Sequence, residues 1–469
     1  MREINLSAEQ LVASLLAMSE SEQVCFVDSC GVSHLGSHLL IAGINPRETL
    51  AISGKNTDET LQIFEQKLAE NFASLFTISY EFGLKLNHIQ PRPKEFSTND
   101  EPDIFLAVFD YLIVHDYDTK QTFVKGNTDN FAEIEQKLQT FAERFQASND
   151  LSKSIVESNF TRVEYLAKVE EIKEFIRKGE TYQTNLTQQF RARLPENLTP
   201  KQIFYDLRKD NPAPFAAFLK RNDDFVISAS PERFFRVESR ESKVESEENL
   251  NNSRFSTLDS RLISTSPIKG TRPRGKTAEE DLKLKNELLN SAKDRAENVM
   301  IVDLLRNDLG RVCEFGSVAV EKLCDLEEHP TLFHLVSTVT GKLRENTTIS
   351  DIIRAVFPCG SITGAPKIST MQIIDRLETA NRGLSMGAIG ICSRELRVES
   401  RESKNLIPDS RLSTLDLSVA IRTMTIKDNH AVFNVGGGIV IDSNAAEEYE
   451  EMLTKAKAPL NSINGEFDF

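Results

Sequence analysis

Near the C-terminal end, in AAEEYEEMLTKAKAP, Glu448, Glu451 and Lys455 stand at i, i+3 and i+7, so a helix there carries all three on one face. Two neighbouring carboxylates repel unless a cation neutralises them, and hard oxygen ligands with retained waters suit Mg²⁺. On spacing alone a solvated charge stripe is the better reading. In DRAENVMIVDLLRNDLGR, Glu297 lies on a helical pattern whose other face holds Val299, Met300, Val302 and Leu305. An acid from this second helix could complete a metal site, or could simply be solvated. FPCGSITGAPKISTM runs Gly360, Ser361, Thr363 and Gly364 into a helix with Pro366 in its first turn. That pattern offers free N–H groups and hydroxyls to an anion, or forms a plain cap. Gly436, Gly437 and Gly438 follow a strand pattern and would let backbone approach a carboxylate. No GxGxxG or Walker sequence accompanies them. Lys269, in SPIKGTRPRG, has apolar flanks and Arg272 and Arg274 nearby, both of which favour the neutral, nucleophilic amine. An exposed lysine in a basic loop is the alternative.

The elements that must position these residues fall into clusters. From Val24 to Glu48, and in FTISYEF and IFLAVFDYLIVHD, short apolar runs read as buried strands. The segment from Gln146 to Ser158 is polar and marks a boundary near residue 150. Val163, Leu166, Val169, Ile172 and Ile176 then recur at helical spacing up to Gly179. Beyond come strands in FAAFLK and DFVISAS and a helix of roughly Ala278 to Asn307. A second helix opens at Pro366, LSVAIRTMTI and HAVFNVGGGIV form closing strands, and a last helix ends before Pro459. Strands and helices do not alternate as βαβ units, which predicts an α+β fold of layered antiparallel sheets with flanking helices. Two domains are expected, 1–150 and 151–469.

Bulk properties narrow the function classes. A formal charge of -15 repels a phosphate backbone, and no basic patch offsets it, so nucleic acid is not an expected partner. Six cysteines without CxxC spacing suit a reducing compartment. The first residues lack a basic n-region and no run reaches the length of a membrane span, so the expected location is the cytoplasm. RVESRESK occurs twice, from Arg236 and from Arg397, each followed by a related SR(F/L)STLD. The copies are charged and serine-rich, and are expected to form solvated loop insertions near 236–262 and 397–416.

Taken in order, GETYQTNLTQQF, SASPERFF, PIKGTRPRG, DRAENVMIVDLLRNDLGR, HLVSTVTGKL, FPCGSITGAPK, AIRTM and VGGGIVIDSNAAEEYEEMLTKAK resemble the chorismate-utilising enzymes. That family comprises the large subunits of anthranilate synthase and aminodeoxychorismate synthase, with isochorismate and salicylate synthases as more distant relatives. The likeness covers about Val163 to Ala458, and FVDSCG and ISYEFGLKL resemble the N-terminal domain of the same synthases. It implies the fold of that family. It also implies that Glu297 and Glu451, with Glu448 beside them, hold Mg²⁺ against the ring carboxylate of chorismate. By the same resemblance Lys455, Arg422 and the backbone at Gly436, Gly437 and Gly438 hold substrate carboxylates. His334 and Ser361 are expected near the ring and its leaving hydroxyl, and Glu232 matches the family's general acid and base. Ser29 is the nearest candidate for a tryptophan pocket of the kind related N-terminal domains carry.

Two positions separate the branches. Where water-adding relatives carry a lysine, this chain has Gln183, an amide that cannot serve as a base, whereas ammonia needs none. Anthranilate synthases typically have alanine where Lys269 stands, and aminodeoxychorismate synthases commonly have this lysine. The resemblance therefore implies amino transfer to the para position, giving 4-amino-4-deoxychorismate for 4-aminobenzoate and folate synthesis. No GxCxG elbow for a glutamine amidotransferase is visible, so ammonia is expected from a partner chain. The alternatives are anthranilate synthase component I and a non-catalytic chorismate-binding paralogue. Ser385, in RGLSMGAIG, replaces an aromatic residue usual in the family and is expected to alter one pocket wall.

Overall fold

A computed structural model describes residues 1–33, 38–96, 101–128, 130–148, 152–240, 260–328, 332–393 and 414–467. The chain forms two compact units. One comprises Met1–Arg233, Phe357–Gly390 and Ser418–Phe469; the other comprises Phe234–Val356 and Ile391–Leu417. The units do not follow a division at residue 150, because strand Val24–Asp28 pairs antiparallel with Phe215–Lys220. Most of the two serine-rich segments, 241–259 and 394–413, lies outside the described residues. The first copy nevertheless opens inside a strand, Arg233–Arg240, and the second closes in Thr414–Val419.

In the first unit, thirteen strands make one sheet. Its ladders are antiparallel except where Gly465–Glu466 joins Ser154–Ser158. Helices Ala8–Met18, Arg162–Arg177, Pro200–Asp210 and Ala445–Ser462 contribute buried side chains, among them Leu15, Val169, Phe204 and Met452, to one core with that sheet. Phe26 stacks on Phe218 with ring centroids 5.5 Å apart and meets Phe204 edge-on at 5.0 Å. In the same unit, strands Glu48–Ile52 and Ala73–Ile78 pair antiparallel with Ile104–Phe109 on either side. In the second unit, Ser260–Ser266, Ile268–Pro273 and Ala319–Glu328 all pair antiparallel with Leu332–Lys342, and helix Ala292–Gly310 packs on that central strand. The layered antiparallel α+β fold is thus as expected.

Several element boundaries differ from the sequence reading. Helix Arg162–Arg177 is closed at its start by a Thr161–Glu164 capping box, and it buries Tyr165, Val169, Ile172 and Phe175. Val163 is instead exposed, since the buried stripe is phased on the aromatic residues. The helix expected from Ala278 is two, Ala278–Asn290 and Ala292–Gly310. Ser291 between them has an extended backbone and caps the second by accepting from Asp294 N–H. On helix Ala292–Gly310, Val299 is exposed rather than part of the buried face. The last helix does not stop before Pro459 but continues to Ser462, because Leu460 and Ile463 are core residues whose packing outweighs the hydrogen bond proline lacks. LSVAIRTMTI is broken into Thr414–Val419 and Thr423–Lys427, with Arg422 at φ 49 in the break.

Candidate active site

The three glycines lie within strand His430–Ile439, not after it, and they face strand Gln183–Arg193 with Leu186 opposite Gly437. The pairing explains the residue type. A Cβ at Gly436 would stand 2.1 Å from the Leu186 carbonyl oxygen, and one at Gly438 would stand 2.0 Å from Gln183 Nε2. Gly437 instead faces side chains, for its Cβ would sit 3.5 Å from Glu448 Oε2 and 3.6 Å from Lys455 Nζ. Those two come from helix Ala445–Ser462, whose first N–H groups are capped by Asn444. Glu448 is buried, and Ser443 Oγ donates to its Oε1 at 2.7 Å. Lys455 Nζ lies 2.8 Å from Glu451 Oε1 and donates to Gly436 O at 3.3 Å. The expected face of Glu448, Glu451 and Lys455 is therefore real, with Glu448 inside and Glu451 half-exposed.

Gln183 is buried beside Gly438, and its Oε1 has no hydrogen-bond partner among the described residues. Its strand is fixed to the turn Gly360–Ile362 by a residue pair the sequence reading did not single out. Arg382 donates to Glu378 through Nε at 2.9 Å and Nη2 at 2.8 Å, to Ile362 O at 2.9 Å and to Asn185 O at 2.7 Å. Glu378 Oε1 also accepts from the Thr187 N–H at 2.8 Å and hydroxyl at 2.9 Å. Both side chains are buried, so the fork of hydrogen bonds is what makes their burial tolerable. In the turn, Ser361 Oγ lies 3.2 Å from Cys359 Sγ. Thr363 turns its hydroxyl back to the Cys359 and Gly360 carbonyls, so it offers no donor to an anion. Burial pushes the Cys359 thiol up to about 12, and the Glu232 charge adds to this, which keeps the thiol protonated.

Glu232 is buried just after strand Phe225–Ser230, where its N–H is bonded to Ser230 Oγ at 3.3 Å and its carbonyl accepts from Val419 N–H at 3.1 Å. Arg422, three residues beyond Val419, has its guanidinium desolvated by burial, which lowers its pKa. Ser385 staples two strands: its hydroxyl donates to Thr423 O at 3.2 Å and accepts from Asn434 N–H at 3.1 Å. Ser29 is buried, and its hydroxyl has no partner among the described residues. Asp28 next to it accepts from Tyr117 Oη and Arg208 Nε, each at 2.7 Å. Tyr165 is a further residue missed from sequence. Its buried hydroxyl is held protonated by desolvation and by the nearby Glu448 and Glu451 charges.

The second unit holds Lys269, His334 and Glu297. On strand Ile268–Pro273 the register shifts between Ile268, opposite Val336, and Thr271, opposite His334, which makes a β-bulge at Lys269 and Gly270. Gly270 has φ +85, and a Cβ there would lie 2.9 Å from both Asp294 Cβ and Leu288 Cδ1. Glycine is therefore required, and the bulge re-aims the lysine. The arginines expected to act on Lys269 are neutralised elsewhere: Arg272 by Glu287 and Asp294, Arg274 by Asp281. His334 is buried, and its Nδ1 lies 2.9 Å from Thr271 Oγ1, which sets the ring's orientation. Glu297 is half-buried on helix Ala292–Gly310 beside Asn298, which is fully buried and tied to the central strand through Leu335 O at 3.3 Å and the Ser337 hydroxyl. Among the described residues no three His, Cys, Asp or Glu side chains are grouped as a metal centre.

The chain matches the chorismate binding enzyme family over residues 23–247, 253–401 and 408–461. It belongs to that family. It is 33% identical to aminodeoxychorismate synthase component 1 of Escherichia coli (strain K12), over 92% of this chain and 88% of that one. It is 34% identical to anthranilate synthase component 1 of Aquifex aeolicus (strain VF5), over 77% of this chain and 68% of that one. The crystal structure of anthranilate synthase component I from Streptococcus pneumoniae TIGR4 superposes with a TM-score of 0.69 at 27% identity, covering 91% of this chain and 93% of that one. Family membership makes this chain an enzyme of the chorismate-binding kind.

Proposed function

We propose that this chorismate-binding enzyme is the large subunit of an aminodeoxychorismate synthase, a transferase converting chorismate and ammonia to 4-amino-4-deoxychorismate and water. The observation that carries the reading is Lys269 on a bulge that only glycine at 270 permits, together with similarity to aminodeoxychorismate synthase component 1. The Lys269 amine bonds to C2 of chorismate as both ring double bonds shift and the 4-hydroxyl departs as water, taking a proton from Glu232. Ammonia then bonds to C4, both double bonds shift back, and the C2–N bond breaks to return the lysine amine. Gln183 suits this chemistry, because its unpartnered Oε1 can accept an N–H of ammonia but cannot deprotonate water. His334 and Ser361 are assigned to the ring and its leaving hydroxyl. Arg422, Lys455 and the backbone of Gly436, Gly437 and Gly438 are assigned to substrate carboxylates.

Mg²⁺ fits the donor set available. Glu448 and Glu451 are oxygen donors on adjacent turns of one helix, and Mg²⁺ is commonly held by one or two carboxylates with waters retained. Glu297, Glu448 and Glu451 are the proposed ligands, and the ion supplies positive charge for the ring carboxylate. Ammonia is proposed to come from a separate glutamine amidotransferase chain. The six cysteines are all free thiols, which supports a cytoplasmic setting. A second, smaller reading concerns Ser29, whose buried hydroxyl without a partner suits a bound ligand in the N-terminal region, proposed as tryptophan. Equilibrium dialysis with tryptophan tests it, and absence of binding ends it.

Chorismate, Mg²⁺ and ammonium should yield 4-aminobenzoate only after a lyase is added. Direct formation of anthranilate would instead assign the chain to anthranilate synthase. Chorismate binding without turnover would identify a non-catalytic paralogue, whereas turnover lost in Glu297→Ala excludes one.

A further inference from the structure

Wholly within the second unit, a cavity of about 570 Å³ is lined by Arg311, Arg344, Arg354, Glu345, Thr347 and Asp351, among others. This size suits a small molecule. Arg311 ends the motif DRAENVMIVDLLRNDLGR, and nothing in the proposed reaction uses it. Its Nη1 donates to the Ala355 carbonyl at 3.2 Å. From strand Ser260–Ser266, Arg261 reaches the same wall and donates to Thr347 O at 2.6 Å and Glu345 O at 3.4 Å. The loop is itself fixed, with Arg344 N–H bonded to Val312 O and Thr347 N–H to Arg344 O, both at 3.1 Å.

Backbone carbonyls orient the Arg261 and Arg311 guanidinium groups without cancelling their charge. Among the described residues, Arg261, Arg311 and Arg344 have no carboxylate partner, whereas Arg272, Arg274 and Arg306 of the same unit are each paired with one. In a chain of net charge -15, such a set of unneutralised arginines is a local reversal of sign. Burial without a counter-charge also lowers the Arg261 pKa, which an anion would relieve.

We infer that this cavity binds a small phosphate monoester carrying hydroxyl groups. A tetrahedral phosphate accepts from guanidinium forks arriving from several directions, whereas one fork satisfies a planar carboxylate. Glu345 and Asp351 on the same wall accept from hydroxyls, and Asp351 Oδ2 is already taken by the Thr348 N–H and hydroxyl. The test is isothermal titration of the full-length protein with ribose 5-phosphate, inorganic phosphate and citrate at fixed ionic strength. Ribose 5-phosphate should bind saturably and more tightly than phosphate. Arg344→Ala should weaken it about tenfold and Arg344→Glu should abolish it, with ammonium-dependent turnover unchanged. Arg344 is exposed and makes no side-chain bond among the described residues, so neither variant should disturb folding. No saturable binding, equal binding by the Arg344 variants, or preference for citrate would each overturn the assignment.

Discussion

Lys269 is the residue on which the chemistry turns. With the nucleophile removed, Lys269→Ala should lower ammonium-dependent turnover by at least about a hundredfold while chorismate binding changes little, as steady-state kinetics and direct titration would show. Lys269→Arg should not rescue it, since a guanidinium stays protonated. A different titration belongs to Glu81, which is buried and has its pKa pushed up to about 7 by desolvation. Its Oε1 accepts from the Arg382 N–H at 2.9 Å, while Oε2 has no partner among the described residues. The folded state thus binds the proton more tightly than the unfolded chain, whose carboxyl titrates near the ordinary 4.5. Stability contributed by this group is fully present at low pH and is lost as pH rises from about 4.5 through about 7, on the order of 3 kcal/mol in all. Glu81→Gln should flatten that part of the urea-denaturation profile. An unchanged slope would show that another group is responsible.

At the scale of elements, two devices hold the reactive residues in place. The bulge at Lys269 and Gly270 depends on a left-handed backbone and on space shared with Asp294 and Leu288. Gly270→Ala is expected to destabilise the protein by about 2–4 kcal/mol, combining backbone strain and overpacking. Turnover should fall with it, as the lysine is no longer presented correctly. The second device is the buried Arg382–Glu378 pair that joins strand Gln183–Arg193 to the turn containing Ser361. Removing one partner strands the other charge, so Glu378→Ala should cost about 3–5 kcal/mol by chemical denaturation. Neither device is visible as a periodic pattern. A bulge is a mismatch between two strands, and the ion pair earns its importance only from what surrounds it.

On the scale of the whole molecule, each unit carries its own share of the candidate residues. A Mg²⁺ ion held by carboxylates with waters retained, as proposed for Glu297, Glu448 and Glu451, should exchange readily. Treatment with a chelator is therefore expected to abolish turnover, and Mg²⁺ to restore it, with the far-ultraviolet circular dichroism unchanged throughout. Loss of secondary structure on chelation would instead point to a structural ion.

The sequence by itself determined the α+β class, the helical face of Glu448, Glu451 and Lys455, and the family, because these rest on local periodicity and on motifs that survive in order along the chain. Boundaries were less legible where packing overrode local preference, as at Pro459, where burial of Leu460 and Ile463 carries the helix onward. Only the tertiary structure decided that Gly436 and Gly438 press against strand Gln183–Arg193, that Gly270 sits in a bulge, and that Ser385 staples two strands. The division at residue 150 dissolved for the same reason, since Val24–Asp28 finds its partner in Phe215–Lys220. Register, burial and the satisfaction of buried charge are set by contacts between residues as far apart in sequence as Gln183 and Gly438, and no local pattern encodes them.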